Sequence, residues 1–338
     1  MLDDLAYTKD AAPRPADARP RTDDPTTPRI RRALWTRRRA LVLLLGYALG
    51  LGGMIAARGL FISADRYFLI LLVPAALLGL AVPYVRDFLP FVALIILYEE
   101  LRGVAHLLNP EPYYAPMIEF DRALFGRLPT TILQDALWTG SLQWYDQVLA
   151  VVQRAHFFIP PTLLFLIWLE RRELYYRCAL TLLVVSFAGA ATFLVFPAAP
   201  PWKASETARI EPLVKVGDVR DAVPVRSPRS FIEERLHPNP VAAVPSLHTA
   251  YSLLVVLFAF AWRRRVGWAF VVYPVVMWFT IVYFADHYVF DLVVGAIYAI
   301  GAWVVAGRLL RRPGRLRRLA GPHPPPLAAA HTFGGPTG

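Results

Sequence analysis

Apolar residues run through this chain in long, almost unbroken stretches: Leu41 to Ala57, then about 67–83, 88–106, 147–169, 174–196, 247–262, 266–284 and 288–307. Each stretch is near the roughly 20 residues that a helix needs to cross a hydrocarbon core. The pattern predicts an all-α, polytopic integral membrane helix bundle with about eight apolar spans. Residues 1–40 instead mix Pro, Arg, Asp and Thr with almost no apolar periodicity, the composition of a disordered arm. The organisation expected is therefore an arm over 1–40, two N-terminal spans over 41–87, a membrane domain over 88–307, and a basic, Pro/Ala-rich tail over 308–338.

Composition agrees with a membrane solvent. Of 338 residues, 56% are hydrophobic and only 18% charged, and the mean hydropathy is +0.42. The net charge of +11 acquires meaning from its location. Arginines crowd the N-terminal segment (Arg29, Arg31, Arg32, Arg37, Arg38, Arg39), the short turns (Arg86, Arg171 with Arg172, Arg263 to Arg265) and the C-terminal segment from Arg308 to Arg318. An even number of spans puts both ends on one side, and the excess of arginine there makes that side the cytoplasm. The two long connections, 107–146 and 197–245, then lie outside, and in the second the basic and acidic residues nearly balance. This is a topology signal and not a nucleic-acid footprint, since no nucleic-acid-binding motif accompanies the charge. A bacterial plasma membrane with cytoplasmic termini is the expected setting. Cys178, alone in an apolar run, reads as a small buried hydrophobe.

One segment carries the chemistry. It opens Val244-Pro245-Ser246-Leu247-His248, runs out through an apolar stretch, turns at Arg263 to Arg265, returns, and ends Asp286-His287-Tyr288-Val289-Phe290-Asp291. Out and back, its two polar ends meet at one membrane surface. Pro245 suits the first turn of a helix, whose unpaired N–H groups near Ser246 form a ready anion site. His287 opens the next span with Asp291 four residues on, so one helix face would hold both and the carboxylate would orient the imidazole.

Other polar residues within spans gather toward the same side: Glu99, Glu100, Arg102 and His106 near the end of one, Arg154 and His156 in the outer half of another. Ionisable groups at such depth are costly and ordinarily face a cavity or a partner. Arg102 has a second reading as the helical partner of Glu99 or Glu100, and His156 as a group satisfying a carbonyl freed by Pro160. In the first long connection, Phe120 to Arg127 reads as a short interfacial helix. The second opens with the stiff run Phe196-Pro197-Ala198-Ala199-Pro200-Pro201-Trp202, followed by Lys203.

A histidine oriented by an aspartate is a competent nucleophile at neutral pH, and a second histidine can protonate a leaving oxygen. With a helix N-terminus and guanidinium groups for phosphate oxygens, the set fits phosphoryl chemistry. A metal site is the competing use of these residues, but the spacing matches no zinc signature and no metal or soluble cofactor is implied. From another class, a binding or transport protein could use the same polar cluster to hold an anionic lipid head group. Membrane lipids are the partners implied in every case.

Pro245-Ser246-Leu247-His248 and His287-Tyr288-Val289-Phe290-Asp291 resemble the second and third signature motifs of the type 2 phosphatidic acid phosphatase superfamily. Leu101-Arg102-Gly103, Phe196 to Trp202 and Asn239 to Ala250 resemble its inositol phosphorylceramide synthase branch and bacterial relatives. The resemblance spans about 88–305 and implies a six-helix phosphatase-like core within the catalytic membrane domain. It also implies a phosphohistidine formed on His287, with Asp291 orienting it and His248 acting as acid and then base. That predicts a lipid phosphotransferase acting on a phospholipid donor and a lipid or polyol acceptor at the extracytoplasmic face, or alternatively a lipid phosphate or polyprenyl diphosphate phosphatase. Two departures favour the transferase. Thr280 and Ile281 stand where the phosphatase branch carries Ser-Arg, and Lys203 with Arg209 is one residue too close for its Lys and Arg-Pro, Ile210 following. Arg102, Arg154 and Lys203 are the candidate replacement cations. Ser246 and His156 complete the expected substrate-binding set.

Overall fold

The structure, a computed structural model, describes residues 64–109, 111–217 and 239–310. They fall within one compact unit that begins at Gly52. The expected arm, the run at 41–57, the loop segment 218–238 and the tail beyond 310 lie outside the described residues.

The apolar runs form helices. In chain order these are α1 (Ala64–Leu77), α2 (Ala81–Leu108), α3 (Ala115–Phe125), α4 (Pro129–Leu137), α5 (Trp144–Ala155), α6 (Ile159–Glu170), α7 (Arg172–Val195), α8 (Pro201–Glu206), α9 (Leu247–Trp262), α10 (Arg264–Phe270), α11 (Val272–Tyr283) and α12 (Val289–Leu310). Among the described residues, Ala81–Ala105, Arg172–Val195, Arg264–Tyr283 and Val289–Leu310 are long and apolar enough to cross a membrane, and α5 with α6 makes a fifth span if its 44° bend is spanned as one. Phe68–Leu77 and Leu247–Trp262 are shorter apolar helices. The described residues thus carry four or five full spans where the runs suggested seven.

Several boundaries differ from the sequence reading. The first break falls at 78–80, where Gly79 takes φ +74°, and not at 84–87. A left-handed residue is nearly free of strain only at glycine, so the chain turns there. Arg86 consequently lies inside α2 instead of in a turn. Pro160 and Pro161 stand in the first turn of α6, just past the 44° bend between α5 and α6, where a missing N–H breaks no hydrogen bond.

Large apolar side chains from α6, α7 and α9, among them Leu164, Ile167, Tyr175, Val185, Leu254 and Phe258, fill the core with Cys178, and small residues of α12 close against them. At one end of the bundle Asp87 accepts from Arg86 Nε and Trp168 Nε1, both at 2.8 Å, and pairs with Arg172 at 3.3 Å. Arg263 reaches Glu170 at that same end, and Arg171 donates to the Ala261 carbonyl. The short arginine turns therefore gather together, as the topology requires. The long connections gather at the other end.

There, two isolated parallel bridges place Ala198 between Tyr113 and Ala242. Ala198 N–H donates to Val241 O at 2.8 Å, and Tyr113 N–H to Pro197 O at 2.7 Å. The proline-rich run is thus a strap that the two connections share. Asn239 extends it, donating from Nδ2 to the Arg102 carbonyl at 3.1 Å while its Oδ1 accepts from Val241.

A close helix contact lies beside this strap. Gly295 of α12 meets the start of α9 so closely that a Cβ built on it would lie 2.4 Å from the Ser246 carbonyl oxygen. Small residues let membrane helices approach to backbone distance, and here they bring two helix N-termini together. Gly295→Ala must push backbone against backbone, so a loss of about 1–3 kcal/mol is expected. It is checked as a lower thermal midpoint in detergent, with Gly301→Ala, whose Cβ would meet nothing within 4 Å, as the control.

Candidate active site

The segment from Val244 to Asp291 does bring its two ends together. Ser246 caps α9, its Oγ accepting from Thr249 N at 3.3 Å, so Pro245 stands just before the cap and not in the first helical turn. His248 follows in that turn, half-buried. The return helix α11 ends in a Schellman turn: Asp286 N–H donates to Ile281 O, and Ala285 N–H to Val282 O. Ala285 occupies the left-handed position at φ 64°, which glycine would ordinarily fill. This stop puts His287 outside any helix, ahead of Val289 where α12 begins.

His287 and Asp291 therefore do not share a helix face. Asp291, in the first turn of α12, reaches back across the helix N-terminus. Its Oδ2 lies 3.1 Å from His287 Nδ1 and accepts the Tyr288 backbone N–H at 2.9 Å. The expected pairing is present by a different route. His287 is only 6% exposed and Asp291 is fully buried. With Nδ1 turned to the carboxylate, His287 Nε2 faces His248 Nδ1 at 3.4 Å. The Ser246 N–H donates to the Asp291 carbonyl at 3.1 Å and ties the two helix starts directly.

His156 belongs to the same cluster. It sits at the α5–α6 break, 8% exposed, with its ring 4.7 Å from that of His248 and stacked on Tyr251 at 5.1 Å. Its Nδ1 is buried without a hydrogen-bond partner, so it does not satisfy a carbonyl freed by Pro160. Tyr251 is fixed in turn by Ser186, oxygen to oxygen 2.6 Å. Arg102 pairs with Glu99 at 3.0 Å, the helical partnership foreseen, yet its Nε is buried and unpartnered. Its charge also acts on both His156 and His248.

The remaining candidates lie farther out. Arg154 is exposed in the last turn of α5, two residues before the buried His156. Lys203 lies in α8, which is docked on the site turn by Trp202 N–H donating to Ala285 O at 3.0 Å. Lys203 and Lys215 both approach the Trp202 ring, at 5.8 and 4.2 Å. Among the described residues, no group of three His, Cys, Asp or Glu side chains is placed to hold a metal ion.

Two contacts escaped the sequence reading. Gln134 of α4 donates to the carbonyls of Val214 and Tyr283 and accepts from Val214 N–H, clamping the end of α11. Asp121 of α3 accepts the backbone N–H groups of Val289 and Phe290 at 2.9 and 3.0 Å. Both join residues far apart in the chain, and neither stands in a local motif that could have announced it.

The family model of the PAP2 superfamily matches residues 115–305, more than half of the chain and all of the elements just described from α3 to the greater part of α12. The chain belongs to the PAP2 superfamily. It is an all-α integral membrane member, and its paired histidine motifs are the ones that the geometry unites. A relative from Bacteroides thetaiotaomicron, named phosphoinositol dihydroceramide synthase, is 32% identical over 158 residues, which is 43% of this chain and 51% of that protein. The chain thus matches about half the length of this curated relative. No solved structure matches it.

Proposed function

We propose that this PAP2 protein is a membrane phosphotransferase that moves a phosphate-bearing head group from a phospholipid to a lipid or polyol hydroxyl through a phosphohistidine. The observation that carries this reading is the ordered chain Asp291–His287–His248, at 3.1 and 3.4 Å, in a buried setting. The carboxylate holds the proton on His287 Nδ1, which leaves the Nε2 lone pair for attack.

Nε2 attacks the donor phosphorus, the bond from phosphorus to the lipid oxygen breaks, and His248 gives that oxygen its proton. An acceptor hydroxyl then loses its proton to His248 and attacks the same phosphorus. The P–N bond breaks and His287 is restored. A gap of 3.4 Å between the two nitrogens has no room for phosphorus. Donor binding must part them, and the half-buried His248 is freer to move than His287, which Asp291 grips. Arg102 Nε and His156 Nδ1 are buried without partners, the His156 ring lying 4.7 Å from that of His248, and we assign them to the phosphate oxygens. Ser246 orders the helix start beneath them, while Lys203 and Arg154 serve the approach of an anionic head group.

The relative's name supports phosphoinositol as the head group and a sphingoid-type alcohol as acceptor. Phosphatase activity would use the same intermediate, with water in place of the alcohol. The reaction belongs at the extracytoplasmic face of a bacterial plasma membrane, since the arginine-rich turns occupy the opposite end of the bundle.

Labelled phospholipid turned over by the purified protein in mixed micelles should yield new lipid only when an acceptor is present. Free head-group phosphate irrespective of acceptor would make it a phosphatase. His287→Ala should lower turnover by about 10³-fold or more and abolish labelled phosphoenzyme, whereas His248→Ala lets it accumulate. Equal labelling in wild type and His287→Ala rejects the covalent step and leaves the lipid-binding reading ahead. Arg102→Ala, by losing one charged contact, should lower kcat/KM by about 10- to 100-fold, mostly through KM. For orientation, Lys215→Cys should react with an impermeant maleimide in intact cells and Arg265→Cys should not, in a Cys178→Ser background.

A further inference from the structure

We propose that Asp121 is a positioning residue for the transfer reaction, serving as a detached N-cap that holds the first turn of α12 and so aims Asp291 at His287. The proposal rests on the reading of His287 and Asp291 given above.

A helix begins with orphan N–H groups that need acceptors, above all where water is scarce. The residue in the capping position of α12 is Tyr288, whose side chain has no acceptor placed to cap the turn. Asp291 Oδ2 takes the Tyr288 N–H, but the same oxygen must also take the His287 Nδ1 proton. The next two donors, Val289 and Phe290, would be left over. Asp121 takes both, one on each carboxylate oxygen, at 2.9 and 3.0 Å. It comes from α3, 168 residues earlier than Val289, and is 1% exposed. Burying a carboxylate is costly, and among the described residues this one has no ion pair to offset the cost; its compensation is the positive end of α12. Phe120 packs edge-on against Phe290 beside it, so the docking of α3 is also apolar.

The charged and titratable groups sharing this corner are Asp291 in the first turn of α12 and Tyr288 just before it, with Tyr114 just before α3 and Arg122 on α3. Arg122 is turned outward to Glu211 at 3.2 Å. Burial pushes the Asp121 carboxyl up to about 6, against the pull of the two backbone N–H groups and with the Asp291 charge adding to the rise. The sign of the resulting pH dependence separates positioning from stability. A carboxyl with a raised native pKa contributes linked stability that is present below its unfolded value and lost as pH climbs through 6. The two-oxygen cap, by contrast, is complete only when Asp121 is ionised, so alignment improves over that same interval. Stability and turnover should therefore move in opposite directions between pH 5 and 7.

Asp121→Asn keeps the shape of the side chain but turns one acceptor into a donor facing an N–H. In the full-length protein we expect kcat to fall about 10-fold with KM within about twofold, in line with one lost charged hydrogen bond. The activity limb near pH 6 and the opposing drift of the thermal midpoint should both disappear in this variant. Amide exchange in a peptide covering 286–292 should accelerate while the rest of the bundle keeps its protection. Asp121→Asn with wild-type kcat, wild-type pH profile and unchanged exchange overturns the proposal. So does a lower thermal midpoint with kcat per folded molecule unchanged, since that is a structural role alone. If the wild type shows no turnover with any donor, the transfer reading fails, and the exchange and midpoint measurements still decide whether Asp121 caps α12.

Discussion

Two helix N-termini lie against each other, and much of the site follows from that. α9 and α12 start at the same end of the bundle, joined by the Ser246 N–H to the Asp291 carbonyl and drawn close by the absence of a side chain at Gly295. Each start carries the positive end of a helix dipole, so bringing them together is unfavourable unless negative charge is supplied. The chain supplies it with two buried carboxylates, Asp291 within α12 and Asp121 from α3. The placement of these two carboxylates at the start of α12, with Asp291 beside His287, is thus a consequence of how the helices pack.

The pairing of the two histidine motifs was legible in the sequence because it depends on local facts: apolar runs of known length, a charged turn between them, and an acid four residues from a histidine. The helix boundaries around those motifs were less legible. The apolar pattern placed the break correctly between 266–284 and 288–307 but let His287 open the next span, whereas the backbone stops one helix before a left-handed Ala285 and starts the next only at Val289. What the pattern did not show was that the left-handed turn at Ala285 leaves His287 outside either helix. His287 and Asp291 ended as partners all the same, since an acid in the first turn of a helix can reach back past the cap as well as along a face. Asp121 and Gln134 were invisible for a different reason. Each satisfies backbone groups well over a hundred residues away, and nothing near either in sequence records the donor or acceptor it meets.

The Phe196 to Trp202 run shows how a motif can serve a site without chemistry of its own. Its backbone is bonded on one side to Tyr113 and on the other to Val241 and Ala243, and Trp202 hangs it on the Ala285 carbonyl. Prolines suit this work, since an extended, stiff segment loses little entropy on being fixed and has fewer N–H groups to satisfy. Asn239 then links the strap to Arg102. Three stretches that looked like separate family signatures are one hydrogen-bonded frame around the start of α9.

His156 makes the last connection between fold and chemistry. A transmembrane helix can be broken only where neighbouring protein or a cavity takes up the freed backbone groups. The 44° break between α5 and α6 falls at His156, and what surrounds it is polar: Tyr251 under the ring, His248 beside it, and Arg102 near enough for its charge to be felt. An unbroken α5–α6 helix would carry residue 156 along with its own axis, whereas the bend lets the imidazole lie parallel to Tyr251 while α6 continues into the apolar core. The break and the buried, unpartnered Nδ1 are then two aspects of one arrangement. The helix gives up continuity at His156 and recovers it within one turn, with prolines that have no N–H to lose.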